Sequence, residues 1–168
     1  LASTSTVALG RLLTATALLG LGQKKPGIMS LQLVCLGRLQ VLMAEVTEQG
    51  RLRGFVKVRQ LSLPQMFEGG TLRRRSIALG VGQGKLAVIR EPQGETYTHS
   101  TTHLLSGEID EDVAHFLNTS DQVPSALACE VLIDEHEQVA HAGGVLIQAL
   151  PDADLDLLSM DDIDLPED

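Results

Sequence analysis

Aromatic residues are scarce in this chain: its 168 residues include three Phe, one Tyr and no Trp. Any core must be assembled from Leu, Val, Ile and Ala. Cysteine is limited to Cys35 and Cys129, each inside an apolar run (LQLVCLG and ALACEVLI). Such settings suit buried free thiols better than metal ligands or a disulfide framework, and no CxxC or His-rich pair occurs. The expected setting is a reducing, cytoplasmic compartment. Positive charge is in deficit, with 13 Lys plus Arg against 22 Asp plus Glu and a formal charge of -9. The basic cluster Arg73-Arg74-Arg75 reads as an exposed strand or loop edge, because duplex binding needs many clustered cations. Nucleic acid is therefore excluded as a partner. A membrane-length apolar run is also missing. VALGRLLTATALLGLG, residues 7–22, interrupts its 16 positions with Arg11, Thr14 and Thr16, short of the roughly 20 apolar residues a bilayer span needs. It reads as a mostly buried helix, with N-cap candidates in LASTST before it. No membrane partner is expected.

What is present is a foldable body with an acidic end. The chain is 43% apolar and 21% charged, which argues for one folded domain. Residues 151–168 carry eight acidic groups and no basic one, which leaves 14 acidic against 13 basic groups in residues 1–150. The division is a core over 1–150 and an acidic tail or start of a linker over 151–168. The first residue is Leu rather than Met, so the expectation is a fragment, a processed form or part of a longer protein.

From residue 29 onward, short alternating runs separated by Gly and polar turns predict strands. MSLQLVCL, RLQVLMAEV and RLRGFVKVR are the first three, with a hairpin at Glu48-Gln49-Gly50 where Gly50 takes a positive φ. Leu52, Phe55 and Val58 fall imperfectly on one face, and Gly54 is expected to mark a bulge that corrects the phase. Two more strands are expected at 85–90 and 95–105. SGEIDEDVAHFLNTSDQ predicts a helix capped by Ser106, with Ile109, Val113, Phe116 and Leu117 on a buried stripe and an acidic opposite face. ALACEVLID and VAHAGGVLIQAL form a second long hairpin, and Gly143-Gly144 implies a bulge or a close backbone approach. The fold class is α+β, with largely antiparallel sheets built from hairpins and packed with a few helices.

The motifs for catalysis fail one by one. Gly82-Gln83-Gly84-Lys85 precedes a β-branched run rather than a phosphate-capping helix, so it reads as a turn. The alternate Asp residues of the tail have Leu157 where a calcium loop needs Gly and Ile163 where it needs Glu. There is no GxSxG elbow. His115 beside the apolar stripe reads as a surface or partly satisfied histidine, since no partner is positioned by spacing. Cys129 with His141 is the one nucleophile–base pair that can be constructed, and the thiol has no evident activator.

LLSGEIDEDVAHFLNTSDQVPSALACEVLID and AGGVLIQALPDA resemble the core domain of the thirty-three-kilodalton heat-shock protein family, the redox-regulated holdase chaperones. STVALGRLLTATALLG resembles that family's early helix, LMAEVTEQGRLRGFV its first hairpin, and GETYTHSTTHL the strand before the SGEI helix. The resemblance covers roughly residues 3–153. It implies an ATP-independent chaperone rather than an enzyme: a cytoplasmic homodimer that binds unfolding proteins and prevents their aggregation. In the family, a metastable linker and a zinc domain with a CxC…CxxC set follow the core and form its redox switch. None of those cysteines is present here, so no cofactor is carried over to this chain. TYTHS also departs from the usual proline-tyrosine-threonine-glycine turn, and the segment expected before the early helix is lacking. A holdase needs exposed apolar surface of low geometric specificity. The candidates for client binding are Leu52, Phe55, Val58, Met66 and Phe67, acting constitutively. Two alternatives stand beside this reading: a switchless dimerisation or interaction module without general holdase activity, and an unrecognised thiol hydrolase using Cys129.

Overall fold

A computed structural model describes residues 1–64 and 75–150. Its elements run α1 (Ser3–Leu21), β1 (Gly27–Cys35), β2 (Val41–Val46), β3 (Leu52–Val56), α2 (Ala78–Val81), β4 (Gly84–Pro92), β5 (Thr98–His103), α3 (Ile109–Thr119), β6 (Ser125–Ile133) and β7 (Val139–Gln148). This is the expected α+β class. A five-stranded antiparallel sheet has the order β3-β2-β1-β4-β5, and β6-β7 forms a separate hairpin sheet. Helix α1 packs on β1, β2 and β3 from one side and on β6 and β7 from the other, with α3 beside it against β4 and β6. The helices thus lie between the two sheets.

Period-two alternation explains the large sheet. Met29, Leu31 and Leu33 of β1 stand opposite Val46, Ala44 and Leu42 of β2, and Leu31 and Leu33 stand opposite Val88 and Leu86 of β4; all are buried toward the helices. The expected phase correction at Gly54 does not occur. The β2–β3 register runs unbroken, with Gly54 opposite Ala44. A Cβ at Gly54 would lie 2.9 Å from Leu9 and 3.0 Å from Leu13, so this glycine lets α1 lie close over the edge strand. Gly144 has the same use, because its Cβ would meet the Ala128 carbonyl at 2.7 Å and Leu18 at 3.0 Å. The bulge in that hairpin falls at Leu132/Ile133 instead. Gly50 has φ +73° in the β2–β3 turn, as expected.

Helix α1, at 19 residues, is long and apolar enough to cross a membrane by length and composition alone, yet half of that stretch is buried within the protein. Its start corrects the capping expectation. Ala2 is the N-cap and supplies no side-chain cap, while Ser3, Thr4 and Ser5 are inside the helix and buried. Their hydroxyls bind the irregular segment that follows β3. Ser5 Oγ donates to the Val58 carbonyl (2.7 Å) and accepts the Leu61 N–H (3.2 Å), and Thr4 Oγ1 accepts the Leu63 N–H (2.8 Å). Helix α3 begins at Ile109, three residues after Ser106, with Glu108 at the N-cap position. Asp112 holds the preceding turn by accepting the N–H groups of Leu105 (2.6 Å), Ser106 (3.0 Å) and Gly107 (3.0 Å).

Candidate functional site

The outer face of the five-stranded sheet, turned away from the helices, carries apolar side chains that no other described element covers. Phe55 of β3 is 52% exposed and stands opposite Met43 of β2; Val41 of β2 stands opposite Val34 of β1, which is 59% exposed. Ala87 and Ile89 continue the same face on β4. A polar margin runs beside it: Arg53 Nη2 meets Glu45 Oε1 at 2.7 Å, and Ser30 Oγ donates to Glu45 Oε2 at 3.3 Å. Between the two rows lies a shallow depression of about 190 Å³ lined by Ser30, Met43, Glu45, Arg53 and Phe55. An open, mostly apolar strip with a charged margin is suited to side chains of many shapes and to none in particular.

The residues singled out from the sequence do not share one surface. Phe55 faces outward. Leu52 lies on the opposite face of β3, opposite Val46, and is 45% exposed at the sheet margin. Val58, beyond the strand, packs against the core. Met66 and Phe67 lie outside the described residues, as do Arg73, Arg74 and the acidic tail. Gly82-Gln83-Gly84 forms a turn in which Gly82 has φ +65°, and Lys85 lies on β4.

The polar centre of the molecule was missed. Arg11, at the middle of α1, is fully buried; its Nη1 bonds Glu108 Oε2 at 3.0 Å and its Nη2 bonds Glu130 Oε1 at 2.7 Å. Glu108 Oε1 also accepts from the Ser76 hydroxyl and from the N–H groups of Ile77 (3.0 Å) and Ala78 (3.3 Å). One buried guanidinium therefore joins α1, the head of α3, β6 and the segment leading into α2. The signal was a single Arg in an otherwise apolar helix, since a buried charge requires partners. The acidic face expected on α3 is likewise split. Glu111 is exposed, while Asp110 and Asp112 are buried as main-chain acceptors. Burial pushes the Asp112 carboxyl up from 3.8, against the pull of its three amide donors.

The Cys129–His141 nucleophile–base pair does not form. Cys129 faces inward opposite Gly144, whereas His141 is exposed opposite Leu132. Residues 129 and 132 of one strand point to opposite faces. Cys35 is buried, its Sγ donates to the Gln40 carbonyl at 3.2 Å, and burial pushes its thiol up from 9.0. No three His, Cys, Asp or Glu side chains converge on a possible metal position among the described residues. The cleft beside the end of α1, about 460 Å³, is lined by Leu19, Lys24, Met29, Arg90, Asp121 and Gln148. Its Arg90 is engaged by Asp121 and lies 5.9 Å from the centre of the Phe116 ring.

Comparison with known proteins agrees with this fold. A family model described as Hsp33 protein matches residues 1–167. The chain is 35% identical over 156 residues to a 33 kDa chaperonin of Desulforamulus reducens, covering 93% of this chain and 52% of that protein. It is 42% identical over 155 residues to a 33 kDa chaperonin of Deinococcus radiodurans, covering 90% and 51%. The crystal structure of a 33 kDa chaperonin (heat shock protein 33 homolog) from Thermotoga maritima superposes with a TM-score of 0.78 at 32% identity, covering 88% of this chain and 49% of that one. The chain thus spans about half the length of the relatives it matches.

Proposed function

Because the chain belongs to the Hsp33 family, we propose that it is an ATP-independent holdase chaperone of the cytoplasm, which binds unfolding proteins and keeps them from aggregating. The observation that carries this reading to a surface is the uncovered apolar strip of Phe55, Met43, Val41 and Val34. Burying apolar area against a client stabilises the complex by about 25 cal/mol per Å², without requiring a particular client geometry. Leu52, exposed at the sheet margin on the opposite face of β3, is not part of this strip, and Met66 and Phe67 remain candidates from the sequence. The molecule works as a homodimer. Nothing in this mode of binding needs nucleotide, metal or a reacting group, so the activity is not enzymatic.

Redox control enters differently. In the family resemblance the switch is a zinc site of four cysteines beyond the core. This chain has two cysteines, both buried and apart from any cluster of metal-binding side chains among the described residues, so they do not fit such a site. The core over residues 1–150 is proposed to bind clients by itself, through its own apolar surface and independently of such a switch.

The test is light scattering of two unrelated unfolding proteins with the purified chain, without nucleotide, in reductant and in oxidant. Equal suppression in both conditions is expected, and Phe55→Ser weakens it severalfold, in line with about 1 kcal/mol from a half-exposed aromatic. Suppression unchanged by Phe55→Ser in a folded protein removes this surface assignment. Saturable binding to one partner with no effect on either client favours an interaction module instead.

A further inference from the structure

The β6–β7 hairpin has two edges, and their main-chain groups have different fates. In an antiparallel pair, alternate residues turn N–H and C=O toward the partner strand and the rest turn outward. Side chains engage part of the outward set on β6, at Ser125, Cys129 and Val131. Ser125 exchanges bonds with the Asn118 amide at 2.9 Å in each direction, the Cys129 N–H donates to Asp110 Oδ2 at 3.0 Å, and the Val131 N–H donates to Glu130 Oε1 at 2.9 Å. The register then assigns Ala142, Gly144 and Leu146 of β7 to the outward set. No described residue bonds to that edge, which ends the two-stranded sheet.

Exposed edges normally carry charged residues, proline or bulges that discourage a further strand. β7 reads VAHAGGVLIQ, ten residues without Lys, Arg, Asp, Glu or Pro, and all but Leu146 are exposed. The other open edges differ: β3 has five residues with Arg53 among them, and β5 is the polar THSTTH. The outward-facing side chains of β7 include Val145 and Ile147, which stand opposite Ala128 and Ala126.

We propose that the open edge of β7 captures extended apolar segments of unfolded polypeptide as a third strand of this sheet. This deepens the holdase reading and rests on it. Main-chain pairing is indifferent to the incoming sequence, which suits varied clients, while Val145 and Ile147 favour apolar ones. A strip about 34 Å long and one strand wide, about 5 Å, falls short of the area that stable protein–protein interfaces bury. That favours transient client segments over a second copy as occupant.

The probe is a soluble ten-residue peptide alternating Val and Thr between terminal lysines, used beside its analogue N-methylated at alternate residues. The parent peptide is expected to slow amide exchange at Ala142, Gly144 and Leu146, and the N-methylated form to bind at least tenfold more weakly. Ala142→Pro removes one outward N–H and no bond to β6, which edge strands tolerate; it should weaken the parent peptide tenfold at unchanged melting temperature. If Ala142→Pro does not fold, the N-methylated peptide still decides. Equal binding of both peptides overturns the proposal, as does concentration-dependent protection of the same amides in the protein alone, which assigns the edge to a second copy. Either result leaves the holdase reading standing if clients remain soluble. Failure of the unaltered chain to suppress client aggregation removes that reading itself.

Discussion

Replacing Arg11 by Met tests the polar centre directly. The guanidinium is fully buried and bonds Glu108, whose side chain is 13% exposed, and Glu130, whose side chain is 38% exposed. Removing it leaves two carboxylates that were positioned for a cation. Breaking a buried pair from one side costs about 3–5 kcal/mol. The lower end is expected here, because Glu130 is more than a third exposed and water screens it, and because Glu108 keeps its bonds from Ser76, Ile77 and Ala78. The Nε of Arg11 has no hydrogen-bond partner, so part of the cost of burying the charge is uncompensated in the native protein. A loss of about 3 kcal/mol is a large share of the roughly 5–15 kcal/mol that domains have. It lowers the melting temperature by roughly 6–12 °C at about 2–4 °C per kcal/mol for a chain of this size. Urea denaturation followed by circular dichroism measures the loss. The triple variant Arg11→Met, Glu108→Gln, Glu130→Gln removes the orphaned charges and should recover most of it. A loss below about 1 kcal/mol for Arg11→Met, or no recovery in the triple variant, refutes the buried-charge account.

Further predictions concern packing, thiols and pH. Gly37→Ala places a methyl 2.3 Å from the Val81 carbonyl and 2.4 Å from the Gly80 carbonyl, a collision with main chain that should cost about 3 kcal/mol. Gly54→Ala meets only leucine side-chain ends and should cost about 1 kcal/mol; equal melting curves for the two variants contradict this ranking. Both thiols are buried and burial favours the protonated form at Cys35. A disulfide reagent at pH 8 should therefore find no fast-reacting thiol in the folded chain and two in denaturant. For Asp112, burial raises the folded pKa above 3.8. Its contribution is then fully present below that value and is lost as pH rises through the folded pKa. The stability difference between the parent chain and Asp112→Asn should widen as pH falls from 7 toward 4, and an NMR titration of the Asp112 carboxyl should show a midpoint above 3.8.

Patterns of period two and period 3.6 were readable without a fold. Met29, Leu31 and Leu33, the α3 stripe of Ile109, Val113, Phe116 and Leu117, both hairpins, and the Gly50 turn all follow from local burial periodicity and turn chemistry. The family resemblance was likewise readable, carried by ordered motifs along most of the chain. Residues with polar side chains in apolar surroundings were harder. Ser3, Thr4 and Ser5 look like caps because hydroxyls usually serve that purpose; they instead bind residues 58–63, a segment more than fifty positions away. Gly54 looks like a bulge until α1 is laid across it.

The sequence by itself determined which residues are apolar, how they alternate, and therefore the α+β class and the inward faces of the sheets. Only tertiary structure decided the partners. Arg11 meets Glu108 and Glu130 across 97 and 119 residues, and Asn118 and Asp110 bond one edge of a hairpin whose other edge no described residue pairs with. Local periodicity specifies that a face is buried or exposed, whereas which groups satisfy a buried charge or a free main-chain edge depends on long-range packing that brings distant segments together.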